Sequence, residues 1–130
     1  MTDRDRSNEE GEDPDMLNLD TLRAFGANVD EGMTRCFNNE AFYLRLVGMG
    51  LADANFDRLR QAMDAGDAKA AFEAAHALKG SMGNLSLTPI YGPVSELTER
   101  LRGASTIGGD EAALLDRVMS ALEAARELVK

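Results

Sequence analysis

The chain has 130 residues, a length that suits one domain, and carries a formal net charge of −9. That balance argues against a nucleic-acid partner, because phosphate binding needs clustered Lys and Arg, and the 14 basic residues are spread without a basic run. The apolar residues are mainly Leu, Ala and Met, with no Trp, a mixture that favours helix over strand.

A single cysteine, Cys36, excludes an internal disulfide and has no neighbours at metal-ligand spacing. It is expected to pack as a small apolar residue in a reducing compartment, so the chain reads as cytoplasmic. No stretch approaches transmembrane length and the N-terminus has no apolar core of a signal peptide, so no membrane partner is expected. The opening "MTDRDRSNEEGEDPD" holds seven acids, two arginines and nothing apolar after Met1. Residues 1–15 are therefore expected to be a disordered acidic tail ahead of one helical domain over residues 16–130.

Leu19, Leu22 and Phe25 fall at helical spacing and Gly26 stops them. Val29, Met33 and Cys36 or Phe37 mark a second short helix, after which Asn38 or Asn39 can cap a long one. In that helix Phe42, Met49, Phe56 and Met63 repeat every seven residues, with Leu46, Ala52 and Leu59 widening the stripe. Gly66 ends it and Asp67 is placed to cap the next. There Ala71, Ala75, Leu78, Met82 and Leu85 share a face, and the pattern continues past Gly80 and Gly83 to stop near Leu87. Thr88-Pro89 reads as an N-cap followed by Pro at the first helical position. Ile90, Val94, Leu97 and Leu101 form the next stripe, ended by Gly103, with a bend expected at Pro93. After the loop "ASTIGGD", Asp110 is expected to cap the last helix, with Leu114, Val118, Leu122, Ala125 and Leu128 inward. No run alternates as a strand does. The expected fold is all-α, an antiparallel four-helix bundle with short additional N-terminal helices over one end or side.

The one histidine lies in "AHALKGSMGNL", residues 75 to 85. Two glycines inside a helix cost about 2 kcal/mol together, unless something needs the room. Helical residues advance by about 100°, which puts Lys79 about 60°, Gly80 about 40° and Gly83 about 20° from His76. Phe72 and Glu73, a turn earlier, border the same face, while Ala75, Leu78 and Met82 point elsewhere. His76 is therefore expected to be exposed or half-exposed. Gly80 places no side chain beside the imidazole, and Lys79 brings a mobile positive charge to it. Open space and an ammonium suit a bulky anion, and a phosphoryl group on a ring nitrogen fits that description. Imidazole, with a pKa near ~6.5, is largely neutral and nucleophilic at cytosolic pH. A lone helical histidine is more often inert, but the paired glycines and Lys79 point to a site. A metal centre is poorly served without a second histidine or cysteine at ligand spacing, and no nucleophile-elbow signature for a Ser-His-acid triad appears.

"AAHALKGSMGNLSL" closely resembles the signature of histidine-containing phosphotransfer (HPt) domains, in which Lys follows His by three residues and Gly by four. The resemblance extends through "NNEAFYLRLV" before it and "VSELTERLRG" after it, over roughly residues 16 to 130. It implies a four-helix bundle whose second bundle helix displays His76. It further implies that His76 accepts a phosphoryl group from a receiver-domain aspartyl phosphate and passes it to another receiver. Lys79 would then interact with the phosphoryl oxygens and Gly80 would keep the approach open. Ser86 departs from the pattern, since many relatives carry another glycine there. No kinase or P-loop motif is present, so no kinase activity is expected. No cofactor is expected on this chain, and the Mg²⁺ of the transfer would belong to the receiver.

The expected partners are receiver domains of response regulators or hybrid kinases, docked over Phe72, Glu73 and Gly83 with part of the neighbouring long helix. Phe72 sits at the edge of the apolar stripe, so two roles stay open for it, an exposed anchor or a core residue. The contrasting function is a helical adaptor that docks a receiver or kinase without transfer, which would have no need of His76.

Overall fold

The computed structural model describes residues 17–129, so the acidic segment 1–15 lies outside the described residues. Seven helices and no strand occur among them. Helix α1 (Leu19–Phe25) begins at Asn18, whose side chain accepts from the Thr21 amide while Thr21 answers to the Asn18 amide. It ends at Gly26, whose φ of +112° is left-handed and open to glycine. Helix α2 (Val29–Arg35) is capped by Asn28. Phe37 and Asn38, both at φ +57°, then turn the chain, and Asn39 caps α3 (Glu40–Leu51).

The long helix expected between Asn39 and Gly66 is in fact two, α3 and α4 (Asn55–Ala65). The cause is local. The amides of Ala52 and Asp53 bond three residues back to Met49 and Gly50, which tightens the end of α3. The Asp53 carboxylate then accepts from the Asn55 amide at 2.8 Å, which starts the next helix. Because of the break, the inward face of α3 is Tyr43, Val47 and Leu51, whereas Met49 of the expected stripe is 64% exposed. In α4 the expected Phe56, Leu59 and Met63 are buried.

Helix α5 (Ala68–Asn84) is capped by Asp67 and runs through Gly80 and Gly83, ending a little before the expected Leu87. Its inner residues Ala71, Ala74, Ala75, Leu78 and Met82 are buried, and the small alanines allow neighbouring helices to approach closely. Helix α6 (Thr88–Leu101) starts with Leu87, not Thr88, at the cap. The Thr88 hydroxyl donates back to the Ser86 carbonyl, and Pro89 occupies the first turn. Helix α7 (Gly109–Glu127) is not capped by Asp110 either. The Glu111 carboxylate accepts from the Gly108 amide at 2.7 Å, a bond that holds its pKa below the usual range, and Asp110 lies in the first turn.

Helix α5 packs against both α4 and α6, and α6 packs against α7. Side chains also join α4 to α7, with the Arg126 guanidinium 5.8 Å from the centre of the Phe56 ring. The core of Leu59, Leu78, Met82, Ile90, Val94, Leu97, Val118 and Leu122 draws on all four. Cys36 is buried and free. Helices α2 and α3 hold the turn between α5 and α6. The Tyr43 hydroxyl donates to the Leu85 carbonyl at 2.8 Å, and Arg35 donates to the Gly83 carbonyl at 2.7 Å.

Candidate functional site

The buried inner face of α5 fixes its outer face toward solvent, where His76, Ala77 and Gly80 are exposed. The Phe72 ring, one turn before His76, stacks on the imidazole with centroids 5.6 Å apart and planes inclined by 16°. The Arg102 guanidinium lies 5.1 Å from the centre of the Phe72 ring. Phe72 is itself half-buried against the core. Neither role left open for it describes it fully: it is partly a core residue and partly a platform for the imidazole.

Lys79 is less mobile than its place on a helix surface implies. Its ammonium pairs with Glu99 of α6 at 3.2 Å, and its side chain is only 30% exposed. Glu99 also accepts from Arg102 through both carboxylate oxygens, each at 3.1 Å. These bonds, Arg102 first and Lys79 second, hold the Glu99 carboxyl down to about 2. The Lys79 ammonium, on the same helix as His76, is thus held by a carboxylate of the neighbouring helix.

The two glycines differ. Among the described residues a Cβ built at Gly80 meets nothing within 4 Å, so no packing between them demands glycine there. A Cβ at Gly83 would lie 3.0 Å from the Tyr91 ring, so Gly83 makes room for α6 as well as sharing the histidine's face. Between them a groove of about 540 Å³ opens, lined by His76, Lys79, Gly80 and Gly83 and, from other elements, by Glu31, Arg35, Ser86 and Tyr91. Glu73 is not part of this groove; it is exposed on the other flank, in a hollow shared with Asn55 and Arg58 of α4.

Sequence spacing alone missed Glu31, Arg35, Tyr91, Glu99 and Arg102. Their positions depend on which helices meet, which local periodicity does not encode. The (i, i+3) placing of Glu99 and Arg102 and the (i, i+4) placing of Glu31 and Arg35 were visible signals of ion pairs. Ser86, the departure from the family pattern, is buried at φ +57°. Its hydroxyl donates to Glu31 at 2.8 Å and accepts from Arg35 at 3.0 Å, so its side chain joins the α5–α6 turn to α2.

Among the described residues no group of three or more His, Cys, Asp or Glu could hold a metal ion, and no helix is long and apolar enough to cross a membrane. The imidazole thus stands at the surface of a helical bundle, on the side of an open groove. The family model of the Hpt domain matches residues 50–125, and the chain belongs to that family. The match spans the end of α3 through most of α7, so α1 and α2 lie outside it. Membership gives the chain a phosphotransfer role in two-component signalling, as a phosphocarrier of a family that interacts with receiver domains. Comparison with curated proteins and with solved structures gives no match.

Proposed function

We propose that His76 is the phosphoryl carrier, taking the group from the aspartyl phosphate of one receiver domain and giving it to the aspartate of another. The unprotonated ring nitrogen attacks phosphorus in line, a P–N bond forms, and the P–O bond to the aspartate breaks with its electron pair leaving on the carboxylate. The reverse sequence delivers the group to the second receiver. Such a transfer needs positioning and charge neutralisation more than covalent chemistry from the protein. Phe72 orients the imidazole, Lys79 neutralises phosphoryl charge and Gly80 leaves the approach clear. Mg²⁺ and its acidic ligands belong to the receiver in this reading, and the chain supplies no cofactor. We also read α4–α7 as an antiparallel four-helix core, which the two- and three-residue links flanking α5 support. The buried, unpaired Cys36 supports a reducing, cytoplasmic setting.

The observation that carries the proposal is the unobstructed space over Gly80, one turn from an exposed imidazole, where the chain's own packing does not ask for glycine. Transfer from a phosphorylated receiver to a second receiver, followed with wild-type protein and with His76→Gln, tests it. The wild type should relay the group and His76→Gln should not. Equal relay by both would refute it.

A further inference from the structure

Glu99 stands outside the groove, yet it pairs with Lys79, which lines it, and with Arg102, which lies over the Phe72 ring. Resting on the carrier reading of His76, we propose that Glu99 is a positioning residue that competes with the phosphoryl group for the Lys79 ammonium. Lys79 would exchange between the two anions as the group arrives and leaves. The Glu99 carboxylate has more donors than it needs. Arg102 engages both oxygens, Nε to Oε1 and Nη2 to Oε2, each at 3.1 Å, and Lys79 shares Oε2 at 3.2 Å. A two-point guanidinium–carboxylate contact is the stronger geometry, because both bonds are charge-assisted and parallel. Lys79 can therefore depart without leaving Glu99 unpaired. For Lys79, Glu99 is the only ion-pair partner among the described residues. A phosphoryl group on His76, one turn away on the same groove, is the dianion that would replace it.

The same cluster reaches the imidazole by a second path, since Arg102 lies over Phe72 and Phe72 stacks on His76. Glu99 thereby fixes the resting place of the cation beside a ring that α6 already steadies. A competitor of this kind slows uptake slightly and favours release, which suits a carrier that must hand its group on. Pairs as exposed as Lys79 with Glu99 are weak, so the competition should be worth about 1.5- to fivefold in rate.

Phosphoramidate tests this without a receiver. The unprotonated ring nitrogen of His76 bonds to phosphorus while the donor's P–N bond breaks, its electron pair staying on the protonated amino nitrogen, which leaves as ammonia, and the other ring nitrogen gives its proton to water. Initial rates of phosphohistidine formation, with the ³¹P chemical shift of the product, should be measured for wild type, Glu99→Gln, Lys79→Ala and the double variant, all with thermal melts. Glu99→Gln should take up the group about 1.5- to fivefold faster and move the ³¹P signal. In the Lys79→Ala background it should do neither. An unchanged or slower rate in Glu99→Gln would overturn the proposal. So would an equal gain in the Lys79→Ala background, because Glu99 would then act through net charge alone. Wild-type protein that gains no phosphoryl group on His76 fails the carrier reading and this proposal with it. Wild-type uptake with an indifferent Glu99→Gln fails this proposal alone.

Discussion

Gly80 and Gly83 are three residues apart on one helix face and do different work. Gly80 faces open space, so replacing it removes no native contact and should gain up to about 1 kcal/mol of helix propensity. Gly80→Leu should therefore melt at or above the wild-type temperature while its phosphotransfer drops sharply, since small misplacements at a reacting centre cost about 100-fold. Melts and transfer rates measured on the same preparation check both halves, and normal transfer would dismiss the clearance argument. Phe72 makes the complementary case. Fully buried phenylalanines lose about 3–5 kcal/mol on truncation, so the half-buried Phe72 should lose roughly 1–2 kcal/mol. Phe72→Ala should also slow transfer by the folded protein, because His76 loses the ring that steadies it. Denaturant melts paired with transfer measured well below the midpoint separate the two effects.

At the scale of elements, the site depends on how α2 and α3 grip the turn after α5. Their close approach requires a glycine at 32, where a Cβ would sit 2.5 Å from the Tyr43 ring. Gly32→Ala should cost about 1–3 kcal/mol by forcing that ring or the helix aside, which a chemical denaturation curve would register. The helices were legible in the sequence wherever one buried face continued without interruption. Ala71, Ala75, Leu78 and Met82 on α5, and Ile90, Val94, Leu97 and Leu101 on α6, are inward as their spacing requires. The reading failed at α3 because Phe42, Met49, Phe56 and Met63 kept a seven-residue repeat across a break made by Asp53 and tightened turns, which periodicity does not register. It failed at two caps for a related reason, since Thr88 and Asp110 are suitable residue types and the geometry chose Leu87 and Gly108. At the site, the face shared by His76, Lys79, Gly80 and Gly83 was legible because it lies on one helix. Glu99 and Arg102 were not, because they enter from the next.

At the scale of the molecule, Tyr43 ties stability to pH. Its hydroxyl is buried against the Leu85 carbonyl, and burial, with repulsion from Cys36 adding to it, raises its pKa from 10.0 to about 12. The folded state holds this proton more tightly than the unfolded chain does. Its contribution is therefore full below pH 10 and is lost as the pH rises toward 12. Stability measured across that window should fall, and Tyr43→Phe should flatten the fall while starting from a lower value, because the Leu85 carbonyl loses its donor.

The central claim, that this chain carries a phosphoryl group on one imidazole, is tested most directly by locating the group. The protein should be incubated with phosphorylated receivers from its own source and the modified residue mapped by mass spectrometry under basic conditions, where a phosphoramidate survives. The account predicts one acid-labile, base-stable phosphoryl group, on His76, gained as the receiver loses its own. A group found on any other residue, or full labelling retained in His76→Gln, would contradict it.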